Sequence, residues 1–149
     1  MSRKRTILVG YDGLDPADRA LDRAVDEARA GSAKLVVLAV AEMPLDPEDP
    51  QNFGTLDDSP PAMIPMTVPP ELERMLARAR ERVEAAGLRA DYVWAAGQPA
   101  QEIVDAAKDR NVDLVVLGHH HHGFLGRLFG EDVAAGVQRA ADCEVIVAD

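Results

Sequence analysis

A single cysteine in 149 residues rules out an internal disulfide, and Cys143 opens the apolar run CEVIVA, where a small core residue is expected rather than a reactive thiol. Long hydrophobic runs are missing as well. Nothing approaches the roughly 18 to 20 apolar residues that span a bilayer, and MSRKRTILVG passes from its basic residues straight into a strand pattern with no apolar signal core or cleavage site. The expectation is a cytoplasmic protein without a membrane partner. Positive charge is scarce: the formal net charge is -10, and Arg3 to Arg5 is the only basic cluster. Most of the surface would repel a phosphate backbone, which argues against a nucleic-acid partner. The motifs of common catalysts are also absent. There is no P-loop, no nucleophile elbow, no strong metal motif and no identifiable pairing of nucleophile with base. No catalytic residue is assigned, and a non-enzymatic role is expected.

What remains is a composition suited to one globular domain, with 47% hydrophobic residues to fill a core and 28% charged residues to keep the surface wet. The hydrophobic period switches repeatedly along the chain. TILVGY (6–11) is a short continuous apolar run, as expected of a central strand covered on both faces. A helix follows, with Asp15 as its expected cap, Pro16 at its first position, and Ala17, Ala20, Leu21, Ala24, Val25 and Ala28 as one apolar stripe ending at Gly31. KLVVLAVA (34–41) reads as the second strand. Leu72, Met75, Leu76, Ala79 and Val83 recur at helical spacing in a second amphipathic helix that Gly87 stops. ADYVWAA (90–96) is the third strand, PAQEIVDAAKDRNV the third helix, and DLVVLG (113–118) the fourth strand. A last helix lies near Glu131 to Ala141, and EVIVA is the last strand. The alternation predicts a single α/β domain: an open parallel five-stranded sheet with helices on both faces and right-handed crossovers.

One segment breaks the pattern. Eight of the ten prolines fall in Pro44 to Pro70, together with five acidic residues and no basic one. Such a stretch holds neither a helix nor a central strand, so a Pro-rich acidic insertion loop is expected over 44–70, either a lid or an unstructured segment. There is no internal repeat and no second domain.

The residues TILVGYDG, with Asp12 just past the first strand, LVVLAVAEMP, GQPAQEIVDAAKDRNVDLVVLG and DVAAGVQRAADCEVIVAD jointly carry a resemblance over nearly the whole chain. The sequence resembles the universal stress protein family. The resemblance implies strand order 3-2-1-4-5, a homodimer in many members built through the last strand, and an ATP site in one subset of members. In ATP-binding relatives the residue matching Asp12 contacts the nucleotide and the one matching Val40 lines the adenine through its backbone. A pattern of Gly, two residues, Gly, nine residues, Gly and Ser or Thr then holds ribose and phosphates.

The implied order puts a ligand in the crevice where strand order reverses, between the first and fourth strands, with Asp12 and Gly118 beside it. This chain departs from the phosphate pattern there. Counting from Gly118, the second glycine is replaced by His121, the third arrives one residue early at Gly130, and Glu131 stands in place of the hydroxyl residue. A literal match at Gly123, Gly126 and Gly136 places its last glycine inside the expected final helix, followed by Val137, and is read as coincidence. Glu131 and Asp132 suit a helix start, where acids are stabilising by roughly 0.3 to 1 kcal/mol, and would repel a triphosphate seated on the same amides. Asp12 has two readings, a nucleotide contact and an ordinary turn residue.

His119 to His122 occupy the loop after the fourth strand. Adjacent histidines in a loop point in different directions, unlike a built metal site, and no dedicated metal ligand is assigned. A histidine-rich turn is the plain reading; an anion loop that gains charge below an unperturbed pKa of about 6.5 is the sharper one. The sequence therefore leads to a non-catalytic regulatory homodimer with weak or no ATP binding. Its alternatives are an ATP-binding member with a degenerate loop and a metal-responsive sensor using His119 to His122. ATP, or another small anionic ligand, is the only cofactor the resemblance suggests.

Overall fold

The computed structural model describes residues 4–42, 68–118 and 131–148. Nine elements alternate: β1 (Thr6–Gly10), α1 (Asp15–Gly31), β2 (Lys34–Glu42), α2 (Pro70–Ala85), β3 (Ala90–Gly97), α3 (Pro99–Asp109), β4 (Leu114–Gly118), α4 (Glu131–Ala140) and β5 (Glu144–Ala148). All strand pairings are parallel, in the order β3-β2-β1-β4-β5.

The two-residue period of a strand explains why β1 and β4 read as unbroken apolar runs. Ile7 and Val9 belong to one core with Leu35, Val37, Leu114 and Val116, beneath α1 and α2. Leu8 points the other way, into a second core with Val36, Leu38, Val115 and Leu117 beneath α3 and α4. The chain first moves outward from β1 to β3 and then returns to β4 and β5. Crossovers of one hand must change faces at that reversal, as these helices do.

The expected stripe of α1 is buried from Ala17 to Ala28. In α2, Leu72, Ala79 and Val83 are buried, while Met75 and Leu76 are half-buried at the margin of the first core. Two local expectations fail. Asp15 is the first helical residue and not the cap: Leu14 occupies the cap position without a side-chain bond, and Asp12 supplies the nearby acceptor through Leu14 N–H. Cys143 is half-buried at the edge of the second core rather than enclosed in it, and burial raises its thiol pKa. Pro70, the last residue of the expected loop, already begins α2; the rest of that insertion up to residue 67 lies outside the described residues. Among the described residues, no helix is long and apolar enough to cross a membrane.

Candidate functional site

The central strands end at different heights. β1 keeps register with β2 as far as Gly10 opposite Leu38, and Tyr11 N–H then donates to the Leu38 carbonyl at 2.8 Å. Because strand backbone groups alternate sides, Val40 turns its amide and carbonyl to the same side as Leu38, two residues beyond the last position opposite β1. Its side chain is core, 7% exposed within the second cluster. Val40 therefore turns its backbone groups toward the β1 side of the strand and its side chain into the core.

Asp12 sits where β1 turns into α1 and is only 4% exposed. Its Oδ1 accepts the Leu14 N–H at 3.0 Å, so its turn role is realised. Gly13 follows with φ +81, a left-handed conformation suited to glycine, and a side chain there would stand 3.3 Å from Met75 Cγ of α2. Gly118 closes β4. A Cβ on it would lie 2.5 Å from the carbonyl carbon and oxygen of Pro16 and 2.8 Å from Ala17 N. Only a residue without a side chain lets the start of α1 rest on the end of β4.

Asp12, Val40 and Gly118 thus gather at the carboxyl ends of three neighbouring strands, β1, β2 and β4. His121 and Gly130 lie outside the described residues, as does the whole run His119 to His122. Glu131 is the first residue of α4, as expected. Gly136 is inside that helix, and a Cβ there would be 3.3 Å from Ala100 Cβ, so this glycine serves the approach of α4 to α3. Its position removes the literal glycine match from consideration. Among the described residues, no cluster of three or more His, Cys, Asp or Glu side chains could hold a metal. A cavity of about 230 Å³ lined by Val104, Ala107, Val112 and Cys143 lies at the opposite end of the sheet, against the segments that enter β4 and β5, and has no part in the crevice.

Sequence reasoning missed an ionic network behind the crevice. Tyr11 is fully buried, and its hydroxyl donates to Asp18 Oδ1 at 2.6 Å. Arg78 of α2 donates to Asp18 Oδ2; Arg82 Nε is 3.7 Å from Asp18 Oδ1 and its Nη2 donates to Asp22 Oδ2 at 2.9 Å. Burial, and then the hydrogen bond and charge of Asp18, push the Tyr11 hydroxyl well above its ordinary pKa. Two signals were present. Asp18 is an acid beside the apolar stripe of α1, and Arg78 and Arg82 recur one turn apart on α2.

An open parallel sheet with a switch point between β1 and β4, a turn aspartate after β1 and a glycine of β4 packed on a helix start, defines a Rossmann-like α/β protein. The comparisons narrow that class. The model of the universal stress protein family matches residues 4–149. Universal stress protein Rv1636 of Mycobacterium tuberculosis (strain H37Rv) is 34% identical over 149 residues, covering 99% of this chain and 97% of that protein. Universal stress protein YxiE of Bacillus subtilis is 29% identical, covering 95% of this chain and 96% of that one. Among solved structures, a universal stress protein in complex with cAMP superposes with TM-score 0.68 and 27% identity, covering 99% of this chain and 98% of that chain. The chain belongs to the universal stress protein family.

Proposed function

We propose that this chain is a non-catalytic regulatory protein that works as a homodimer and holds an adenine nucleotide of low charge, in preference to ATP, at the β1–β4 switch point. The observation that carries the reading is the convergence of Asp12, the Val40 backbone and Gly118 at adjacent strand ends. An amide and a carbonyl on one strand edge match the donor and acceptor edge of a purine, and a core side chain at Val40 keeps that edge fixed. The solved relative with cAMP supports a cyclic monophosphate as a ligand of this fold.

The preference against ATP follows from charge. The amino end of a helix favours an anion by roughly 0.3 to 1 kcal/mol, but the sequence puts two acids, Glu131 and Asp132, at the start of α4. A triphosphate meets like charge there, while a cyclic monophosphate brings far less charge to repel. Calorimetric titration of nucleotide-free protein at neutral pH tests the reading, with ATP and Mg²⁺ in one series and cAMP in another. The expected result is tighter binding of cAMP than of ATP, with Glu131→Ser strengthening ATP binding by removing a charge and adding a hydroxyl. Submicromolar affinity for ATP in the wild type would overturn it and establish an ATP-binding member despite the altered loop.

A further inference from the structure

At the end of the sheet opposite the crevice, three strand starts bring positive charge together. A cleft of about 390 Å³ is lined by Lys4, which precedes β1, by Ala33, Lys34 and Leu35 at the start of β2, and by Arg89, Ala90 and Asp91 at the start of β3. Register explains the convergence. Thr6 pairs with Lys34 and Leu35 with Ala90, so Lys34 and Arg89 are lateral neighbours one residue before the paired Leu35 and Ala90. Lys4 is two residues before Thr6, on the same side by strand alternation. Like charges side by side on adjacent strands are unfavourable unless something answers them.

Asp91 answers one of them: its Oδ2 is 3.2 Å from Lys34 Nζ. Among the described residues, Lys4 and Arg89 have no ion-pair partner. The cleft has a structural cause. α3 has 11 residues and is about 16 Å long, whereas β2 has nine and is about 30 Å long. Starting from the upper end of β3, α3 runs out before it reaches the strand starts on its face of the sheet. The result is a small, partly apolar hollow with three cations and one carboxylate, in a chain whose net charge is -10.

We infer that this hollow is a second ligand site, separate from the switch-point crevice, which takes a small anion bearing phosphate or carboxylate groups. Its volume is within the usual range for small-molecule sites. Leu35, Ala33 and Ala90 turn their side chains into the first core and leave recognition in the hollow to the charged groups: Arg89 supplies the planar fork suited to a phosphate or carboxylate, and Lys4 adds a point charge. An extended polyanion is disfavoured because the net-negative remainder of the molecule would repel it beyond the cleft.

Inorganic pyrophosphate and citrate are the two probes, each titrated into the full chain and followed by amide chemical shifts. The expected shifts centre on Ala33, Lys34, Leu35 and Ala90 and leave Asp12, Val40 and Gly118 unmoved; the tighter probe tells phosphate from carboxylate. Lys4 and Arg89 are exposed, so their replacement spares the core. Arg89→Ala weakens binding by about tenfold, Lys4→Ala by less, and Asp91→Asn strengthens it by releasing Lys34. Shifts confined to the crevice, affinity indifferent to both cation substitutions, or no saturation by either probe at millimolar concentration would each refute the site. None of these outcomes depends on whether cAMP binds at the other end.

Discussion

Gly118 shows how much a single missing methyl group decides. Its neighbour across the contact is backbone, the Pro16 carbonyl and the Ala17 nitrogen, and backbone cannot swing aside as a side-chain tip can. Gly118→Ala therefore forces the start of α1 off β4, at a cost of about 2 to 3 kcal/mol by the usual scale of overpacking. Urea denaturation measures this directly, and a loss under about 0.5 kcal/mol would mean that the turn has room to yield. The apolar run DLVVLG located Gly118 at a strand end, where the structure has it, and the strand order implied by the resemblance set that end at the switch point. The sequence could not show its packing role, because the clashing atoms lie a hundred residues earlier in the chain. Asp12 is similar: its place was legible from TILVGYDG, whereas its bond to Leu14 depended on local backbone geometry that also displaced Asp15 from the cap.

Elements were the most legible level, since the switch between two-residue and helical periods marks each strand and helix through its buried residues. What periodicity could not reveal was the polar joint among β1, α1 and α2. Tyr11 reaches from the end of β1 to Asp18 on α1, and Arg78 and Arg82 come to Asp18 from α2. Tyr11→Phe keeps the ring but removes a hydrogen bond to a charged group, costing about 1.5 kcal/mol at neutral pH. The pH dependence carries a sign. The Tyr11 hydroxyl has its pKa raised on folding above the ordinary value of 10.0, so its stabilising contribution is complete below that pH. Above it the unfolded chain releases the proton while the folded chain holds it, and the contribution declines as pH rises. Denaturant curves from neutral pH to above 10.0 should show the wild-type advantage over Tyr11→Phe shrinking across the alkaline limb. A constant gap would show that the hydroxyl is not held as the structure describes.

For the whole molecule, sheet order leaves two edges, β3 and β5. β5 is short, its Val145, Ile146 and Val147 are half-buried, and it contains neither the proline nor the lysine that commonly blunt an edge. Pairing of β5 with its copy across a two-fold axis would be antiparallel and self-limiting, which is the dimer proposed above. Light scattering coupled to size exclusion is expected to show a dimer at roughly tens of micromolar. Ile146→Pro, which removes a backbone donor, is expected to shift the protein toward monomer while circular dichroism reports the α/β fold intact. A strictly monomeric wild type refutes the interface. Strand order itself became legible only through family resemblance, because many orders satisfy the same alternation of elements. The central place of β1 also bears on biosynthesis. This strand leaves the ribosome first, finds β2 on one flank soon afterwards, and must wait for residues 114–118 before β4 covers the other. At roughly 5 to 20 residues per second, that delay leaves a strand buried at every position one-sided for several seconds, an interval in which a nascent-chain chaperone has something to hold.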